Sequence, residues 1–325
     1  MSADAIQRAD LPTGMPSPTG LRTPTGWRTV TDRHAVHKYI FIAAVAILIL
    51  AITIPIAVIR NLKGRHHPMS SIIVPLYIYP APGAWDPLYK AIKESPDLKF
   101  IVVVNPHNGP GGSPLPDANY TREIPLLNSY SNVQALGYVA TGYAKRDVQA
   151  IKNDIHTYSD WSTNVDVQNL KVEGIFFDET PGKYDAASAN LLHEIQSEAR
   201  LAHGFGSRCM LVNNPGIIPD TRLLHGPNMT VVFEGTYATY QQHSISSKLS
   251  KLKQKPKRSG NPVVRNDLAC IMHSVPVGVA DNESAMQKVV RELQRLAGTV
   301  YVTDLHEDYY AGFGSGWMRF VDVAS

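Results

Sequence analysis

A (β/α)8 TIM-type barrel preceded by one transmembrane helix is the fold class this sequence predicts, and three observations lead to it. From Ser71 onward, short apolar runs closed by Pro, Gly or Asn alternate with longer amphipathic stretches, eight times over some 250 residues. That is the count and length of a closed barrel. Polar side chains gather after the C-terminal ends of those runs and far less before their starts, as expected where βα loops hold the chemistry. Ahead of them, Tyr39 to Ile59 is a run of 21 residues without a charge, long enough to cross a hydrocarbon core of roughly 30 Å.

The N-terminal elements come first. Residues 1–38 place Pro12, Pro16, Pro18 and Pro24 among Thr, Gly and Ser and predict a disordered cytoplasmic tail. Residues 39–59 predict an uncleaved signal anchor; Pro55 near its end is tolerated in spanning helices. Residues 60–69 are a juxtamembrane linker and 70–325 the barrel domain. Arg22, Arg28, Arg33 and Lys38 precede the anchor while Arg60, Lys63 and Arg65 follow it, so charge barely sets its orientation. The N-x-S/T acceptors at Asn119, Asn228 and Asn282 all follow the anchor, which predicts a glycoprotein with its barrel in the lumen or outside the cell.

The formal charge of +3 comes partly from basic clusters at 60–67 and 248–258, the latter read as a solvated helix end and loop. No basic stripe interleaved with aromatics occurs, which argues against nucleic acid as a partner. The only two cysteines, Cys209 and Cys270, fall at the starts of strands with one strand between them. That separation of roughly 9–10 Å exceeds the reach of a disulfide and predicts two free, buried thiols.

Strands are expected at 71–79, 99–105, 133–140, 172–178, 209–213, 229–235, 269–274 and 299–304, from apolar and β-branched runs bounded by turn residues. Between them, apolar spacing near three to four predicts helices that include 144–161, 186–203 and 282–297. An open doubly wound sheet is the competing architecture. Neither G-x-G-x-x-G nor a Walker lysine follows the first strand, and Gly109-Pro110-Gly111-Gly112 reads as a loop, because no helix opens directly after it.

The polar groups at the strand ends are Tyr77 and Tyr79 after the first, Asn105 and His107 after the second, and Tyr143 after the third. Asp178 and Glu179 follow the fourth, Asn213 and Asn214 the fifth, Glu234 and Tyr237 the sixth, His273 the seventh, and Asp304 and His306 the eighth. Alternation along strand four points Asp178 inward with Phe176 and Gly174; along strand six it groups Glu234 with Val232 and Thr230. Two inward carboxylates one strand apart fall about 5–9 Å from each other, the range used in glycoside hydrolysis. The histidines lie on separate strands without HxH or HExxH spacing, so no metal is expected. No G-x-S-x-G elbow is present, and no cofactor is implied.

Several motifs in order resemble the spherulin-4 family of fungal and slime-mould proteins over about residues 70–322. They are Ile73-Val74-Pro75-Leu76-Tyr77-Ile78-Tyr79-Pro80 with Trp85, Val103-Val104-Asn105-Pro106, Gly137-Tyr138-Val139-Ala140-Thr141, Gly174-Ile175-Phe176-Phe177-Asp178-Glu179, Asn213-Asn214-Pro215-Gly216 and Phe233-Glu234. The resemblance implies glycoside hydrolase family 135, barrel enzymes that cut α-1,4-linked N-acetylgalactosamine stretches of fungal galactosaminogalactan. It implies Asp178 as nucleophile, Glu234 as acid/base and Glu179 as a supporting acid; the strand-end positions of Tyr77, Tyr79, Asn105, His107, Tyr143, Asn213, Tyr237, His273 and Asp304 make them the expected glycan contacts. In an α-linked N-acetylgalactosamine the 2-acetamido group is cis to the leaving group, so a protein carboxylate must attack. Glu234 then needs burial or a neighbouring charge to hold its proton. Two other readings stand beside this one: a surface barrel that binds glycan without cleaving it, and a hydrolase of deacetylated polymer with Asp304 near the sugar's amine.

Overall fold

A computed structural model describes residues 71–242, 244–253 and 262–325; the expected tail, anchor and linker lie outside them. Among the described residues no helix is long and apolar enough to cross a membrane. The eight expected strands form, each within three residues of its expected bounds: β1 (Ser71–Leu76), β2 (Lys99–Val104), β3 (Val133–Ala140), β4 (Gly174–Asp178), β5 (Met210–Asn213), β6 (Met229–Thr236), β7 (Leu268–His273) and β8 (Thr299–Val302). All neighbours pair in parallel, and β1 closes on β8 through Ser71 opposite Thr299 and Ile72 opposite Val300. The result is a closed barrel in sequence order.

Among the described residues the helices of the outer ring are α1 (Asp86–Glu94), α2 (Ala118–Leu127), α3 (Val148–Asp160), α4 (Ala186–Leu201), α5 (Tyr237–Gln242), α6 (Ile245–Leu252), α7 (Val277–Ala280), α8 (Glu283–Leu296) and α9 (Trp317–Ala324). Side-chain caps set several starts: Asp117, Asp147, Asp185 and Asn282 each accept from a backbone N–H in the first turn of α2, α3, α4 and α8. The third of these elements begins later than 144 because Tyr143 and Ala144 adopt left-handed φ of 55° and 65°, outside helical space. Tyr158 of α3 lies so close over β3 that a Cβ on Gly137 would meet its ring at 2.7 Å. Glycine there lets helix and sheet pack, and Phe100, Phe177, Tyr158 and Trp161 are wholly buried in that layer, each large side chain contributing about 1.5–3 kcal/mol.

Residues paired across neighbouring strands face the same side of a sheet. Tyr138 pairs with Phe176 and Ala140 with Asp178, which sets these four on the inner face. Phe177 pairs with Asn213, and Asn213 with Thr230, which sets those three on the outer face. Thr230 therefore does not share a face with Glu234, contrary to simple alternation. The cause is a bulge in β6: Val231 pairs with Ala269 but Phe233 with Cys270, its next neighbour. Val232 is the extra residue, and the step restores Glu234 to the inner face.

Cys209 and Cys270 are both free; Cys270 is buried, while Cys209, just ahead of β5, keeps some exposure and donates to the Ala199 carbonyl. The described part of the 248–258 charge run ends α6, where Lys253 donates to the Arg295 carbonyl.

Candidate active site

Asp178 ends β4 at the mouth of the barrel with its carboxylate held from three sides. Oδ1 accepts from the Glu179 N–H at 2.8 Å and from Asn214 Nδ2 at 2.8 Å, and Oδ2 accepts from the Tyr138 hydroxyl at 2.9 Å. Glu234, aimed by the bulge, accepts from Tyr310 Oη at 2.5 Å on Oε1 and from the same Asn214 Nδ2 at 2.5 Å on Oε2. Laid end to end, the 2.8 Å and 2.5 Å contacts to that one nitrogen make 5.3 Å, so the two bridged oxygens are no farther apart than this.

Electrostatics follow from the crowding. Burial, and second the charge of Glu234, push Asp178 up to about 6, against the three hydrogen bonds that favour its ionised form. Burial and the nearby carboxylates likewise raise Tyr77, Tyr138 and Tyr310, and the last two serve as donors to the acids. Tyr77 packs edge-on between Tyr138 and Tyr310, with ring centroids 5.4 Å and 5.3 Å away, and forms the floor beneath the acids. Its backbone N–H also ties to the Tyr310 carbonyl, which anchors the β8 loop over β1.

On the other flank His273 stacks on Tyr309 with centroids 3.9 Å apart and planes 7° from parallel, and its Nδ1 meets Ser274 Oγ at 2.9 Å. Burial lowers the His273 pKa while Glu234 opposes the shift. This neutral ring and its tyrosine make an aromatic wall beside Glu234.

Glu179 acts on the site through its backbone. Its φ of 53° is left-handed, a strain of about 1–3 kcal/mol in a non-glycine residue. That turn aims its N–H at Asp178 while its carbonyl takes Thr141 Oγ1 at 2.8 Å and the Tyr143 N–H at 2.6 Å. Thus Asp178, Glu179, Glu234, Tyr77 and His273 come together as the sequence suggested.

Several of the other expected glycan contacts also make hydrogen bonds within the protein. Asn213 faces the helices and accepts from Gln196 of α4 at 3.3 Å, because it shares the outer face with Phe177. Asp304 accepts from Ser315 N–H, Ser315 Oγ and Gly316 N–H, which ties its carboxylate to the loop before α9. Asn105 pins the Gly109 N–H, Tyr79 accepts from Asn119, and Tyr237 opens α5 half-buried against the core. His107 is exposed on the β2 loop, and Tyr143 is 59% exposed on the rim. Among the described residues no group of three or more His, Cys, Asp or Glu is arranged to hold a metal ion.

Tyr309 and Tyr310 escaped the sequence reading, and Tyr138 and Asn214 entered it only as members of motifs or strand ends, without a role at the acids. Tyr138 carried a usable signal, since it sits two residues before Ala140 on the face that β4 register assigns to Asp178.

The model of spherulation-specific family 4 matches residues 71–324, nearly the whole barrel. The chain belongs to the spherulin-4 family. It is thereby placed in glycoside hydrolase family 135, as its motifs suggested. It is similar to spherulin-4 of Physarum polycephalum, at 28% identity over 261 residues that cover 79% of this chain and 70% of the relative. It is also similar to the crystal structure of Aspergillus clavatus Sph3 in complex with GalNAc, at 46% identity and a TM-score of 0.74, over 80% of this chain and 99% of the other.

Proposed function

We propose that this spherulin-4 member is an endo-acting glycoside hydrolase that cleaves α-1,4-linked N-acetylgalactosamine stretches of galactosaminogalactan with retention of configuration. The observation that carries this reading is the pair of carboxylates bridged by one nitrogen, no more than 5.3 Å apart between bridged oxygens. Retaining enzymes hold their two carboxyl groups about 5–5.5 Å apart, while inverting ones leave about 6.5–9.5 Å for a water. The likeness to a protein crystallised with GalNAc supports the sugar.

In the first half-reaction Asp178 attacks C1 from the face opposite the leaving oxygen. The C1–O bond breaks and Glu234 gives its proton to the departing chain. In the second, water attacks C1, the ester to Asp178 breaks, and the proton of the water passes to Glu234. Two obligate N–H donors on Asp178 Oδ1 suit it to the anionic role. Oε1 of Glu234 meets a phenol that can either give or accept, which leaves it room to carry a proton.

The test is incubation of purified protein with acetylated polymer, reading new reducing ends and the configuration of the first product by NMR. New α-configured ends are expected. β-configured ends would sink retention, and polymer retention without new ends would make the protein a glycan-binding barrel.

A further inference from the structure

We propose that Asn214 is the positioning residue of the pair, a fixed donor that serves whichever carboxylate is charged as the single negative charge passes between Asp178 and Glu234. The proposal rests on the retaining reading above for its chemistry, but the geometry that prompts it stands by itself.

An amide nitrogen has two N–H groups, and here both are spent: one on Asp178 Oδ1 at 2.8 Å and one on Glu234 Oε2 at 2.5 Å. The amide cannot flip, because its carbonyl accepts the Gly216 N–H at 2.9 Å. Gly216 in turn, at a left-handed φ of 67°, offers its own carbonyl to the Glu234 N–H at 2.9 Å. The Asn214–Gly216 turn thus connects β5 to the backbone of β6 and to both acids at once. A side chain locked at both ends cannot follow one carboxylate if the other moves.

In a double displacement the pair carries one negative charge throughout. It sits on Asp178 before attack, and on Glu234 once the Asp178–C1 ester has formed and the proton has left with the leaving chain. Water attack reverses both changes. A donor shared between the two oxygens is charge-assisted at every stage and needs no reorganisation between them. The groups that face the acids from other elements are Tyr77 after β1, Tyr138 of β3, Glu179 after β4, His273 of β7, and Tyr309 and Tyr310 after β8. Among them only Tyr138 and Tyr310 give side-chain hydrogen bonds to the pair, one acid each. Asn214 alone among the described residues bonds to both.

The experiment uses the intact protein labelled with 13C in Asp and Glu carboxyls, in wild-type, Asn214→Ala and Asn214→Asp forms. Asn214→Asp keeps an oxygen for the Gly216 N–H but removes the donor, which separates bridging from turn formation. Both variants are expected to titrate Asp178 at higher pH than wild type, since a donor to the ionised form is lost, and Asn214→Asp further still because it adds a negative charge beside the pair. Both should also lower kcat on polymer by about 100-fold with KM nearly unchanged, the mark of an interaction expressed in the transition state. Titration curves that superimpose on wild type, or a loss confined to KM, would overturn the proposal. Should Asn214→Ala not fold, Asn214→Ser, which adds no charge and keeps an oxygen for the Gly216 N–H, carries the same two readouts. The titration needs no substrate, so a wild-type protein that releases no product would defeat the hydrolase reading while leaving this measurement decisive.

Discussion

At the residue scale, the candidate site places a carboxylate where the fold resists its charge. Asp178 is raised from its ordinary 3.8 to about 6, chiefly by burial and then by Glu234. The folded protein therefore binds that proton more tightly than the unfolded chain does. The stability this contributes is fully present below about 3.8 and is lost as pH rises through about 6. Asp178→Asn should abolish cleavage yet stabilise the protein above pH 6, by about 1–2 kcal/mol after allowance for partial solvent screening, with little effect near pH 4. Thermal melts of wild type and variant across that range are the measurement; a gap that is constant with pH would deny the buried charge its cost. The acids themselves were legible in the sequence, because apolar strands running into Asp178 and Glu234 are a local signal. The tyrosines that hold them were not. Tyr310 reaches Glu234 from 76 positions away along the chain, a contact that only barrel closure creates.

At the element scale, β6 shows where period-two reasoning fails while its conclusion survives. Alternation places Glu234 with Thr230, yet β5 register puts Thr230 on the helix side. The bulge at Val232 reconciles the two. One valine deleted from the Val231-Val232 pair should leave a regular strand with Phe233 outward and Glu234 still inward, so the variant should fold and keep at least about a tenth of wild-type cleavage. It should also lose about 1.5–3 kcal/mol of stability, because Val232 is buried. Under strict alternation the same deletion would turn Glu234 out. A folded deletion variant as inactive as Glu234→Gln would therefore restore that simpler picture. A neighbouring slip has the same origin: Asn213 and Asn214 are indistinguishable by type, and only the pairing of Asn213 with Phe177 shows which one turns toward the acids.

At the scale of the whole molecule, the alternation of strand and helix was legible because each strand in a parallel barrel is buried on both faces and reads as an unbroken apolar run. The loops that build the mouth carry no such period, so the hydrogen bonds that Tyr79, Asn105 and Asp304 make to Asn119, Gly109 and Ser315 have no local signature. Closure also bears on the N-terminal residues. β1 is fastened at its first residue, where the Ser71 N–H donates to the Gly298 carbonyl and Ser71 Oγ meets Thr299 Oγ1 at 2.6 Å. The acids, their donors and the floor beneath them all come from residues 77–310. Truncation tolerance follows from the burial and bonding of the backbone removed, and among the described residues this set begins at Tyr77. We propose that residues 39–59 anchor the protein with its barrel in the lumen or outside the cell, so deletion of residues 1–65 should release a soluble protein with kcat/KM within about twofold of full length. Full-length protein should sediment with membranes and resist alkaline extraction, while the truncated form stays in the supernatant. Extraction of the full-length protein by salt or alkali alone would remove the anchor, and a truncated form that folds but has lost cleavage would show that the site draws on more than the barrel.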